Sequence, residues 1–159
     1  MLLSFLENKR VIALWLLIFH ALVSVLLFNL ANSEFLFELH NGDGLWNFAR
    51  DSRKYHQEAI NLASLINHIP WSDWFIFYPD HLQVPFISIL YFLTGYMEPV
   101  IFEIFNGPIW VASIFLIYNS SKLIFPKGGK TSLLVCLFFF QPSVLMTSTQ
   151  LLRDPIFML

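Results

Sequence analysis

An all-α, polytopic membrane architecture is the fold class this sequence predicts, and three observations predict it. Hydrophobic residues fill 57% of the 159 positions and charged residues only 13%, with a mean hydropathy of +0.63. A soluble domain has about 45–50% apolar and about 25% charged residues, and one of this size exposes too much surface to hide the excess. Residues 11–30, VIALWLLIFHALVSVLLFNL, form an apolar run without a charged residue. Two further apolar regions follow, at 82–121 and 131–152. The 18 Phe and 5 Trp suit lipid and its interfaces.

The first run is long enough to cross: at about 1.5 Å per residue it covers roughly 30 Å, one hydrocarbon thickness. A signal peptide would have an apolar region of about 7–15 residues before a small-x-small cleavage site. This run is longer, and only the weak candidate Ala31-Asn32-Ser33 follows it, so an uncleaved span is expected. The 82–121 region is too long for one straight span and is broken at TGYMEP, 94–99. Its first part, 82–93, is too short to cross and reads as a re-entrant or interfacial helix, while 99–121 reads as the second span. The run 131–152 reads as a third. Asp154 and Pro155 then look like an N-cap and an N1 proline opening a fourth, so the chain is expected to be the N-terminal part of a longer transmembrane domain.

Lys9 and Arg10 precede the first span, and Lys122, Lys127 and Lys130 follow the second. The positive-inside rule puts both groups, and the N-terminus, in the cytoplasm. The loop 31–98 then lies outside, and Arg153 and Asp154 emerge on that same face. The net charge of −2 gives no basic surface for nucleic acid. The single Cys136 allows neither an intrachain disulfide nor a CxxC motif, and reads as a lipid-facing or packing residue.

Function is expected in the loop, which carries the acids Glu34, Glu38, Asp43, Asp51, Glu58, Asp73, Asp80 and Glu98. Within 51–66, the apolar groups Tyr55, Ala59, Leu62, Ala63 and Ile66 mark one helical face, so a short amphipathic helix on the membrane surface is expected. Asp51 opens it, and on residue type alone it is an N-cap. Asp43, in NGDG, fits a tight turn.

Asp51, Tyr55, His56 and Ala59 form D-x-x-x-Y-H-x-x-A, followed by YPDHLQVPFISILYFLTG (78–95), a span containing Asn106, a short basic turn and QPSVLMTSTQLLRDP (141–155). This order resembles the N-terminal third of polytopic glycosyltransferases with the GT-C fold, above all the bacterial enzymes related to protein O-mannosyltransferases and lipid A aminoarabinose transferases. The resemblance covers nearly the whole chain through short, loose motifs, and it implies GT-C-like transmembrane helices in a bacterial inner membrane. It further implies transfer of a sugar from a polyprenyl-phosphate donor to a glycan, lipid or protein acceptor on the outer face. In that family an acid of the first outer loop is the base, which maps to Asp51, with Asp43 the alternative. A second acid at the outer end of the third span maps to Asp154. Arg50, Arg53, Lys54 and Arg153 are on the side where the lipid phosphate leaves, and Tyr55 and His56 adjoin the base. Some enzymes of this fold use a divalent ion, so a metal stays open, although His40, His56, His68 and His81 have no metal-ligand spacing and the three away from the motif read as surface groups. The family often carries Arg three residues before the Asn of the second span. Glu103 stands there instead, expected to reach headgroups or water near the outer interface. His20, in the first span, reads as a hydrogen-bonded packing residue. Trp46, Trp71, Trp74, Tyr78 and Tyr91 read as an interfacial aromatic belt. The rival classes are a non-catalytic membrane subunit or transporter fragment, in which the loop acids tolerate substitution, and a polysaccharide polymerase or ligase.

Overall fold

The apolar run at the start of the chain forms one long helix, α1, over Lys9–Ala31. The structure, a computed structural model, describes residues 9–40, 42–125 and 129–150. Leu14, Trp15, Leu22 and Leu26 of α1 are exposed, at 57, 58, 65 and 58%. A helix apolar on every side that packs along only part of its surface is built for lipid. The chain leaves α1 through Asn29 and Asn32, whose side chains donate back to the carbonyls of Val25 and Phe28.

A turn then folds the chain against the end of α1. His40 and Trp46 form an isolated antiparallel bridge, and the Trp46 indole N–H donates to the Leu27 carbonyl at 3.1 Å. Asp43 accepts from the Leu45 N–H at 3.2 Å, the tight turn expected of NGDG. Both Gly42 and Gly44 sit at φ +75°, but only at Gly44 would an added Cβ run into the Phe28 ring. Gly44→Ala is therefore expected to cost more than the about 1–2 kcal/mol of a left-handed alanine, and Gly42→Ala only that amount. Thermal melting of the two variants compares them.

Helix α2, Arg50–Leu65, and helix α4, Gln83–Thr94, pack side by side, with the short α3, Trp71–Ile76, between them in the chain. The apolar stripe read from the sequence is the buried one: Tyr55, Ala59, Leu62, Ala63 and Ile66 meet Val84, Ile87 and Tyr91. α4 ends at Gly95, whose φ of +66° makes the left-handed cap. Its 12 residues cover about 18 Å, too short to cross.

A 3-10 turn, Pro99–Phe102, leads into α5, Glu103–Ile124. Lys9–Ala31 and Pro99–Ile124 are the two helices among the described residues long and apolar enough to cross a membrane. The 131–152 run departs from expectation. It folds as α6, Gly129–Cys136, a 3-10 turn, Leu137–Phe140, and α7, Pro142–Ser148. The break is at Gln141 (φ −61°, ψ 135°), because a proline pushes the residue before it out of the helical region. Cys136 and Phe139 pack with Trp110, Val111 and Ile114 of α5, which settles Cys136 as a packing residue. The fourth helix expected from Pro155 lies outside the described residues.

Candidate functional site

The D-x-x-x-Y-H-x-x-A stretch forms the first turns of α2, but its members separate. Ala49 precedes the helix and no side chain caps it, so Asp51 lies in the first turn rather than at the N-cap. There the partial positive charge of the helix end favours a carboxylate. Asp51 is exposed, and among the described residues no group hydrogen-bonds or pairs with its side chain. Tyr55, one turn on, is 3% exposed and faces the α2–α4 core, so it backs the site rather than lining an opening. Arg50 begins the helix. Arg153 and Asp154 lie outside the described residues.

The basic residues divide. The Arg53 guanidinium donates to both Asp43 oxygens, at 2.6 and 3.3 Å. Burial works to raise the Asp43 pKa, but the hydrogen bonds from Arg53 and the Leu45 N–H, with the Arg53 charge, outweigh it and hold the carboxyl below its ordinary range. A carboxylate so stabilised is a poor proton acceptor, which leaves Asp51 as the better candidate of the two. Lys54 keeps its side chain 60% exposed, with Nζ 3.9 Å from Glu58 Oε1.

His56 Nδ1 shares a 2.8 Å hydrogen bond with the Tyr91 hydroxyl of α4. Burial pulls the His56 pKa below its ordinary 6.5 against the opposing charge of Asp43. Burial, then the charge of Glu98, pushes the Tyr91 phenol up. A histidine with a depressed pKa is protonated first in the unfolded chain, so its share of stability is present above pH 6.5 and is lost as pH falls toward the folded value. We expect the melting temperature to drop between pH 7.5 and pH 5.5 more steeply in wild type than in His56→Gln.

Two groupings were not read from the sequence. His81, which precedes α4, donates from Nδ1 to Glu58 Oε2 of α2 at 2.6 Å. The ring of Tyr55 stands edge-on to it with centroids 4.9 Å apart. His81 is thus no simple surface group, and neither is His40, which is 1% exposed and ties its turn together through Phe35 O and the Gly42 N–H. His68 is exposed, as expected. The usable signal for Glu58 was spacing, since positions 51, 55 and 58 share one helical face.

The second grouping lies between the long helices. His20 is 0% exposed, pairs through Nδ1 with Glu103 Oε1, and meets Ser148 Oγ through Nε2 at 2.8 Å. Glu103 is only 13% exposed, so it does not reach headgroups or water as expected. His20 lies midway along α1, about 16 Å from either end, and draws the carboxylate inward. Asn106 Nδ2 donates nearby to the Gln150 carbonyl at 3.1 Å. Among the described residues Glu103 Oε2, Asn106 Oδ1 and Gln150 Oε1 have no partner. The sequence showed each polar residue inside an apolar run, but not that α1, α5 and α7 bring them together.

No group of three or more His, Cys, Asp or Glu side chains that could hold a metal ion occurs among the described residues. Comparison with protein-family models, with curated proteins and with solved structures finds no match to this chain.

Proposed function

We propose that this chain is part of a membrane glycosyltransferase that moves a sugar from a polyprenyl-phosphate donor to a glycan, lipid or protein acceptor on the outer face. The observation that carries the reading is the exposed Asp51 carboxylate beside the exposed Lys54, while the rival acid Asp43 is occupied by Arg53. In the proposed step the acceptor hydroxyl gives its proton to Asp51 as its oxygen attacks the anomeric carbon. The anomeric C–O bond breaks, and the electron pair leaves with the lipid phosphate. Lys54, Arg50 and Arg153 supply positive charge there, and Asp154 orients the acceptor. Two long apolar helices suit a donor that lives in the bilayer. The test is transfer of labelled sugar from a polyprenyl phosphate by the full chain in liposomes, wild type against Asp51→Asn. Unchanged turnover at unchanged expression overturns the assignment.

One observation favours the rival reading of a transporter fragment or non-catalytic subunit: the His20–Glu103 pair inside the long helices, beside a groove of about 360 Å³ lined by Leu17, Ala21, Ile104 and Pro108. Ionisable groups within membrane helices commonly mark ion or substrate paths. That reading predicts that Asp51→Asn is silent and that Glu103→Gln abolishes function.

A further inference from the structure

We propose that His81, oriented by Glu58, assists the departing phosphate of the lipid-linked donor. This rests on the glycosyl-transfer reading above. A carboxylate can only accept, so its 2.6 Å contact fixes His81 Nδ1 as the donor to Glu58. The other ring nitrogen, Nε2, has no hydrogen-bond partner among the described residues. The side chains of His81 and Glu58 are 17 and 15% exposed, sheltered enough for the hydrogen bond to hold the ring and open enough for a ligand to meet its edge. The Tyr55 ring limits its rotation further. Glu58 also sits 3.9 Å from Lys54, so an oriented imidazole and a primary ammonium are gathered around one carboxylate.

The placement divides the work. Asp51 and Glu58 are two turns apart on α2, about 10 Å along the axis, with Tyr55 between them on the same face. Asp51 takes the acceptor proton at one end. At the other, the anomeric C–O bond breaks, its electrons pass to the phosphate oxygen, and His81 Nε2–H donates its proton to that oxygen. The Glu58 carboxylate balances the imidazolium before transfer, and solvent restores both groups afterwards.

The experiment uses the full chain in liposomes with two donors: a sugar on polyprenyl phosphate, and the same sugar on dinitrophenol, a leaving group that needs no proton. His81→Asn keeps a side-chain N–H for Glu58, which preserves that contact, and removes the second ring nitrogen. His81→Asn is expected to slow transfer from the phosphate donor about 100-fold and to leave the dinitrophenyl donor within about threefold, whereas Asp51→Asn slows both. Equal slowing of both donors by His81→Asn, or no slowing, overturns the proposal. Binding of a short polyprenyl phosphate without sugar, followed by phosphorus NMR, is a separate arm. It is expected to weaken about tenfold in His81→Asn and in Glu58→Gln, about 1.4 kcal/mol. If wild type transfers sugar from neither donor, the glycosyl-transfer reading fails and this arm alone decides. Equal binding by wild type and His81→Asn then overturns the phosphate site as well.

Discussion

Asp51→Asn is expected to lower sugar transfer by about 10²–10⁴-fold, the usual contribution of a positioned proton acceptor, with expression and melting temperature close to wild type. The small structural effect follows from its setting. The side chain is exposed in the first turn of α2 and has no described partner. Losing the charge there removes a helix-dipole interaction of about 0.3–1 kcal/mol, too little to unfold α2, whose apolar face is fixed against α4. Asp43→Asn is expected to show the reverse pattern. It strips Arg53 of a two-point partner and loosens the turn that accepts from Leu45, so it should lower stability while changing the transfer rate only a few-fold. Steady-state transfer and thermal melting on the same two preparations separate the roles. Turnover lost in Asp43→Asn and kept in Asp51→Asn would exchange them.

What the sequence made legible follows from the range of each signal. The amphipathic helix expected at 51–66 is α2 at Arg50–Leu65, because apolar spacing of three and four residues is a local property. The break at TGYMEP is the Gly95 cap, for the same reason. The third apolar run reads as one span by its hydropathy, and its interruption is carried only by Gln141-Pro142, a single backbone restriction that the summed hydropathy of SLLVCLFFF masks. Glu103 and His20 stand 83 positions apart in the chain, and pairing at that separation leaves no mark in a single sequence. The Glu58–His81 contact, 23 positions apart, is silent in the sequence for the same cause. The sequence ranks Asp51 ahead of Asp43 only through the motif around it; that Arg53, ten residues beyond Asp43, occupies the second acid is visible only in the structure.

The His20–Glu103 pair carries the largest expected effect on stability. His20→Leu leaves a carboxylate that is 13% exposed facing an apolar side chain, and Glu103→Leu leaves a fully buried imidazole with only Ser148. Removing one partner of a buried pair costs about 3–5 kcal/mol, whereas replacing both by apolar groups of similar volume is often neutral or stabilising. Each single variant is therefore expected to fall by that amount, and the double variant His20→Leu/Glu103→Leu to recover most of it. Such a result would be non-additive by several kcal/mol, beyond the scatter of independent sites. Gly107→Ala is a third probe of the same contact. Its Cβ would lie 2.8 Å from Glu103 Oε1, the atom that pairs with His20, so the carboxylate must shift to admit it. Unfolding free energies in a lipid bilayer, by steric trapping, give all four values on one scale. Single variants that cost under about 1 kcal/mol and simply add would mean that Glu103 is solvated after all, as an acid at the headgroup level would be. Strong coupling would instead identify the pair as what fixes α1 against α5 and α7.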